Sequence, residues 1–386
     1  MRRLILSLSL LLLCTGVAAE QIVAKARPKP VPPHRPRSRS QRPEKHRQRR
    51  LPGVVRRRDQ PAPLSARAIG SYSKGCLAGG VSLPLNGPDW QVMRTSRNRN
   101  WGSPQLVDYL ERLASDARAF DGWPGLLVGD MSQPRGGPML GGHTSHQVGL
   151  DADIWLTPMP DRILTDDERE NMVAVTMLKD PFTVDPNVFT IQQVKLIKRA
   201  ASYPQVARIF VHPAIKKALC DQANSLGKDR SWLAKVRPWW NHHYHFHIRL
   251  ACPPGMAGCE NQKPVTGDDG CDGKELANWF AMLKKSAIWA AQQAAANPNP
   301  NPDHKAPPPK KKQIKLYDLP KDCRSVLTAG GFEPPTAEDE LPPEAVAALE
   351  TKEAGQPIPL LTQAQLDILL NGGKLGMPMP DRNPVR

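Results

Sequence analysis

Residues 239–250 read WWNHHYHFHIRL, and no other stretch restricts the fold as tightly. Four of the ten histidines, His242, His243, His245 and His247, fall within six positions, with Tyr244, Phe246 and Ile248 interleaved among them. Alternation at period two predicts a strand over HFHIRL (245–250), because successive strand side chains point to opposite faces. On that reading His243, His245, His247 and Arg249 share one side, and Tyr244, Phe246 and Ile248 the other. Two imidazoles at i and i+2 stand roughly 6.5–7 Å apart at their backbones, so one can hold an ion while the other reaches what the ion binds. A single such pair is ordinarily plain polar surface; four histidines in six positions favour a site.

A second stretch, GGHTSHQVGLDADIW (141–155), supplies the missing ligand types. Its glycines at 141, 142 and 149 mark a loop that leads into a strand, LDADIW. On this strand Asp151 and Asp153 face one way, Ala152 and Ile154 the other. His146, Asp153 and His247 make two imidazoles and one carboxylate, a catalytic zinc set that leaves the fourth position to water. His143 lies one short turn earlier. Read singly, Asp153 is a cap or salt-bridge carboxylate and His146 a surface histidine; beside the histidine cluster the metal reading is the stronger. Asp151 either orients an imidazole as its hydrogen-bond acceptor or is an ordinary solvated aspartate. Trp239 and Trp240 either wall a substrate groove or belong to the core.

The rest of the chain sets the context. MRRLILSLSLLLLCTGVAAE has a charged start at Arg2 and Arg3, an apolar run Leu4–Leu13 and a small-residue exit Val17-Ala18-Ala19, a signal peptide cleaved after Ala19 and too short to span a membrane. Cys14 raises lipidation, but Leu13 occupies the place of the small residue that should precede it. Six cysteines remain, Cys76, Cys220, Cys252, Cys259, Cys271 and Cys323, with no CxxC spacing. An even count in an exported chain argues for disulfides over thiolate ligands and leaves every pairing open. The net charge of +16 is concentrated in residues 21–60, where fourteen Lys or Arg face only Glu44 and Asp59. That Pro-rich tail cannot bury a core. Its expected partners are anionic envelope polymers or lipid head groups, not nucleic acid; the alternative is a solvated spacer.

Helical spacing marks 106–120, 191–202 and a long stretch from Glu275; strand-like stretches cover 125–131, 150–156, 207–212 and 245–250. Helices and short strands alternate without Gly-rich phosphate loops, which predicts an α+β fold, a small central antiparallel sheet flanked by helices. The expected organisation is a leader (1–19), a basic disordered tail (20–67), a metallopeptidase domain (68–296), a Pro-rich linker (297–330) and a mostly disordered tail (331–386) with one short helix near 361–370.

HTSHQVGLDAD together with RPWWNHHYHFHIRL resembles the penicillin-insensitive murein endopeptidases, zinc peptidases related to lysostaphin-type enzymes and D-Ala-D-Ala metallopeptidases (the LAS group). That group is marked by a His-x6-Asp pair and a later His-x-His, here His146/Asp153 and His245/His247. The likeness extends through AIGSYSKGC, WQVMRTSRNRNWGSPQLVDYLERL, LLVGDMS and RIFVHPAIKKALC, covering about 68–285 plus Cys323. It implies a LAS-type fold with zinc ligands His146, Asp153 and His247 and with His143 near the metal. It further implies that His242 and His245 serve activity without being primary ligands, and that the disulfides are Cys76–Cys323, Cys220–Cys271 and Cys252–Cys259, the first tying the linker back. Some members hold a second zinc at a subunit interface through an Asp and a His three residues later. The matching positions here are Asp180 and Thr183, so that site, and the homodimer it supports, lack a ligand.

The implied activity is periplasmic: hydrolysis of the D-alanyl–meso-diaminopimelyl cross-link of peptidoglycan by a zinc-activated water, whose pKa falls from about 15.7 toward 7. No HExxH glutamate is present, so His245 is expected to take the water proton or stabilise the oxyanion, and His242 to take the complementary role. β-Lactams trap a serine nucleophile, so such an enzyme is insensitive to penicillin. SYSK (71–74) and SLGK (225–228) fit S-x-x-K, but neither KTG nor SDN accompanies them. The competing readings are a D,D-carboxypeptidase, an L,D-endopeptidase and a non-catalytic peptidoglycan-binding protein.

Overall fold

The computed structural model describes residues 59–139, 143–265, 268–296, 316–330 and 355–371. The leader, the basic segment to residue 58, most of the linker and the disorder expected of both tails lie outside the described residues. In chain order the strands are β1 (Arg67–Ser71), β2 (Lys74–Ala78), β3 (Val81–Ser82), β4 (Trp90–Val92), β5 (Trp101–Gly102), β6 (Leu126–Val128), β7 (Asp151–Trp155), β8 (Leu178–Asp180), β9 (Thr183–Val184), β10 (Val206–Val211), β11 (Val236–Pro238) and β12 (His245–Leu250). The helices are α1 (Pro104–Asp121), α2 (Asp166–Asn171), α3 (Ile191–Ser202), α4 (Pro213–Gln222), α5 (Lys274–Ala296), α6 (Asp322–Thr328) and α7 (Gln363–Leu370).

The histidine-rich strand β12 is interior to a six-stranded sheet of order β11-β10-β12-β7-β6-β4, with all six of its residues buried. Strands β10, β12, β7 and β6 pair antiparallel, as the alternating pattern predicts. The sheet as a whole is mixed, because its two edge pairs, β10–β11 and β4–β6, run parallel. The reason is connectivity. A parallel neighbour needs a crossover too long for a hairpin, and α4 and α1 supply one at each edge.

Register places the functional residues. His247 lies opposite Asp153 on one side and Phe210 on the other, Arg249 opposite Asp151, and His245 opposite Trp155. The intervening pairs, Phe246 with Ile154 and Ile248 with Ala152, point into the apolar core with Ile209 and Val211. The same core takes in Leu106, Leu110 and Leu113 of α1 and Val194, Leu196 and Ile197 of α3. α1 starts where Ser103 Oγ accepts from the Leu106 amide with Pro104 in the first turn, and stops at Gly122 in the left-handed region (φ 70°). One face of the sheet is thus apolar and helix-covered. The other carries the polar residues of β7, β10 and β12.

Three disulfides close the chain: Cys76–Cys323, Cys220–Cys271 and Cys252–Cys259, the pairs that the family resemblance implies. The first links β2 to α6 across 247 positions and centres a small cluster of Ile69, Ala78, Leu319, Val326 and Leu327. Buried Arg135 donates to the carbonyls of Val326, Leu327 and Ala329, satisfying the C-terminal end of α6.

The short helix expected near 361–370 is α7, and it is docked. Its Leu369 packs with Phe182 and with Leu283 and Ala287 of α5. Upstream of it, the Gln356 amide donates to the Ala174 carbonyl and Gln356 Oε1 accepts from the Thr176 amide. Gly355 lies against the Tyr244 ring, where an added Cβ would meet ring carbons at 2.4–2.8 Å.

Replacing Cys76 and Cys323 together with serine should cost about 2–5 kcal/mol, since the bridge closes a long loop in the unfolded chain. Urea unfolding of the oxidised protein reads this directly; an unshifted midpoint would mean that α6 holds its place without the bond.

Candidate active site

The alternation in β12 does not extend back to His243. Asn241 and His242 both adopt left-handed backbone (φ 59° and 51°), so the chain turns just before the strand. His242 therefore stands with the cluster, its ring 4.9 Å from that of His245 and 5.8 Å from that of His247. His243, expected on the same side, points elsewhere: its Nδ1 meets Thr176 Oγ1 at 3.0 Å, and its ring faces His212. Strand periodicity was the wrong guide for those two residues because the strand begins at His245.

Asp153 is the centre. His247 Nδ1 comes within 3.1 Å of its Oδ1, His146 Nε2 within 3.5 Å and His245 Nε2 within 3.7 Å, while His143 Nδ1 lies 3.7 Å from Oδ2. The ligand atoms of His143, His146 and Asp153 all fall within 4.8 Å of one another, a grouping able to hold a metal ion. His247 joins it through Asp153, and its ring centroid lies 4.5 Å from that of His146. The four residues expected around the metal are thus brought together from a loop and two adjacent strands.

Two outer carboxylates fix the rings. His247 Nε2 meets Asp151 Oδ1 at 3.0 Å, and Asp151 also accepts from Arg249 Nε (2.8 Å) and the His146 amide (3.1 Å). That last bond helps hold His146 in the left-handed region (φ 67°), an uncommon state for a residue with a side chain. His143 is treated alike: its Nε2 lies 3.2 Å from Asp130 Oδ2, which also takes Arg97 (3.0 Å) and Arg99 (2.7 Å). Each of these two imidazoles turns one nitrogen to an outer carboxylate and the other toward Asp153. Asp130 was missed in the sequence; it is the acidic residue of LLVGDMS, and nothing in its local spacing connects it to distant His143.

The electrostatics follow from burial. Burial pushes the His146 pKa down to about 3, with Asp153 only partly opposing, so its ring is neutral and keeps a lone pair. Burial likewise lowers His245 to about 4. At His247 burial also favours the neutral ring, but Asp151 and Asp153 outweigh it and raise its pKa. Burial raises the three carboxylates, yet their neighbours prevail: Arg249 and His247 for Asp151, Arg99 and His143 for Asp130, and the surrounding imidazoles of His146 and His245 with a hydrogen bond from His247 for Asp153, all held below the usual range. Both ring nitrogens of His146, Asp153 Oδ1 and His245 Nδ1 are buried without a hydrogen-bond partner among the described residues. Such atoms are costly when left unmatched, and neutral imidazole nitrogens facing a carboxylate oxygen suit a divalent cation.

The cluster floors a groove of about 830 Å3 that crosses the sheet strand by strand. Arg237 stands at the β11 edge, then Arg208 and Phe210, then the β12 histidines, then Asp153 and Trp155, with Arg94 and Arg97 beyond β4. Trp239 and Trp240 line it and are exposed, so they are wall and not core. Asp180 is occupied in its own hairpin, where its oxygens accept from the Phe182 and Thr183 amides and the Thr183 hydroxyl. The S-x-x-K matches are ordinary surface: Ser71 and Lys74 pair across the β1–β2 turn, and Ser225 Oγ donates to the Gln222 carbonyl.

Residues 68–328 match the sequence profile of penicillin-insensitive murein endopeptidases. A protein of that name from Haemophilus influenzae is 48% identical over 221 residues, covering 57% of this chain and 75% of the relative. Those from Klebsiella pneumoniae and Escherichia coli are 41% and 40% identical over 269 residues, covering 69% of this chain and 88% of each relative.

Buried neutral histidines impose a pH dependence. His146 and His212 (held near 3) and His243 and His245 (near 4) take up protons on unfolding wherever the pH is below about 6.5, so the unfolded state gains as acid is added. His247, with its raised pKa, opposes this and is outnumbered. In chelator the urea midpoint should fall steadily from about pH 6.5 to 5, above the range in which the carboxylates add their own loss. A flat midpoint over that interval would show the rings to be solvated in the native state.

Proposed function

The chain belongs to the penicillin-insensitive murein endopeptidase family, and from that premise we propose that it is a periplasmic zinc hydrolase of the D-alanyl–meso-diaminopimelyl cross-link of peptidoglycan. The observation that carries the reading is Asp153 with four imidazoles around it at the floor of an arginine-lined groove. His146, Asp153 and His247, with His143 beside them, would hold the zinc, which supplies a Lewis acid and makes water acidic enough to serve as nucleophile at neutral pH.

The chain's own residues do the rest. Asp151 holds the Nε2 side of His247, and Asp130 the Nε2 side of His143, so neither ring can rotate away from Asp153. His245 is a neutral imidazole with Nε2 toward the centre, placed to accept a proton there. His242 Nδ1 lies 2.6 Å from the Trp240 carbonyl, which fixes the proton on that nitrogen and leaves Nε2 as an acceptor for an N–H of the leaving amine, whose new proton would come from His245 once that ring has taken one up. Arg94 and Arg208 along the groove suit a peptide that carries carboxylates. The leader expected over residues 1–19 supports export, and three disulfides suit an oxidising compartment.

Cross-linked muropeptide dimers, incubated with the purified protein with and without chelator, test this. Dimers should split to monomers only with metal present. Release of terminal D-alanine alone would make the enzyme a carboxypeptidase, and an inert zinc-loaded protein would make it a binder. His146→Ala and His247→Ala should abolish turnover while all three disulfides still form. His245→Ala should lower kcat by about 10²–10⁴ with zinc still bound, as loss of a proton acceptor does. Full activity in either ligand variant would refute the ligand set.

A further inference from the structure

Three tryptophans stand at the β11 end of the groove, and no step above uses them. Trp239 and Trp240 directly follow β11 and are 51% and 39% exposed. Half-buried Trp279 reaches them from α5, its ring 5.8 Å from that of Trp239 and 5.2 Å from that of Trp240, both steeply inclined. The three rings brace one another and leave ring surface in water. Apolar surface kept open beside a groove, with polar residues at its rim, marks a place that something covers.

The rim narrows the choice of occupant. Arg237 is paired with Glu275 at 3.0 Å, so the charge beside the rings is largely cancelled. Exposed Asn241, next in sequence to Trp240, lines the groove with the rings. The patch therefore offers flat apolar faces edged by one amide and an ion pair, which suits a ligand that is itself flat, uncharged and hydroxyl-rimmed. The patch is also continuous with the catalytic centre: Trp239 packs on Phe210 at 5.9 Å, and Phe210 on His247 at 5.3 Å.

We propose that Trp239, Trp240 and Trp279 form a carbohydrate subsite that stacks an N-acetylhexosamine ring of the glycan strand whose peptide stem lies over Asp153. A pyranose has one face of C–H bonds for an indole and a hydroxyl edge for the Asn241 amide and the ion pair. The reach agrees, because a four-residue stem extends to about 14 Å, and Trp239 is two ring steps, 5.3 and 5.9 Å, from His247. The identity of the sugar rests on the peptidoglycan reading; the stacking surface does not.

The test is binding of peptide-free, uncross-linked glycan strands to the full-length protein in chelator, followed by indole fluorescence and calorimetry. The wild type should bind. The double variant Trp240→Ala/Trp279→Ala should bind roughly tenfold more weakly, the loss of one or two stacking contacts. Trp240→Phe/Trp279→Phe should recover most of the affinity, which a misfolded surface would not. Wild-type protein that ignores glycan strands but binds sugar-free cross-linked peptide would overturn the proposal and make the tryptophans a peptide wall. Equal glycan affinity in the alanine variant would also overturn it. Glycan binding that depends on these rings in a protein unable to cut cross-links would uphold the subsite and refute the hydrolase.

Discussion

A single buried carboxylate governs this molecule. Asp130 is neutralised by Arg97 and Arg99, and Asp151 by Arg249. Asp153 meets histidines instead, and two of its four neighbours, His146 and His245, are held neutral by burial. The site therefore keeps a localised negative charge, surrounded by lone pairs, in a water-poor place where an unmatched charge is expensive. The arginines make this selective. They quench the outer carboxylates, which then act as hinges for His143 and His247, and they leave the inner one for a cation.

The sheet makes that arrangement inevitable once it forms. Because neighbouring strands pair residue for residue, His247 cannot sit opposite Asp153 without Arg249 sitting opposite Asp151. One parity of β12 belongs to the chemistry and the other to the core, so the strand that carries the reactive rings is also among the most firmly held. Arg249 lies over the Tyr72 ring at 4.1 Å and within 5.1 Å of Phe210, so even the supporting cation is fixed by packing. The groove crosses the strands, and each strand contributes one stretch of it.

Much of this was legible in the sequence. The alternation of HFHIRL gives β12 with its boundaries, and GGHTSHQVGLDADIW gives the loop, the strand and the side chains that meet at Asp153. The disulfide pairs came through likeness to a family, since composition leaves pairing open. What the sequence hid has physical causes. His242 and His243 exchange places because two left-handed residues break the period, and backbone sign is not encoded in a run of histidines. Asp130 and His143 are 13 positions apart with no shared element, so their contact is a product of tertiary structure. The parallel sheet edges depend on which helices act as crossovers. The docking of Gln356 beside Ala174 rests on one backbone hydrogen bond and one from the Thr176 amide to the Gln356 side chain, to which sequence patterns are blind.

The residue-for-residue pairing of β7 and β12 has one more implication. A slip of a single position would send Phe246 and Ile248 to the wet side and bury the imidazoles among leucines, so no partly correct version of this strand exists. A misaligned copy would both lose the cluster around Asp153 and display aromatic surface.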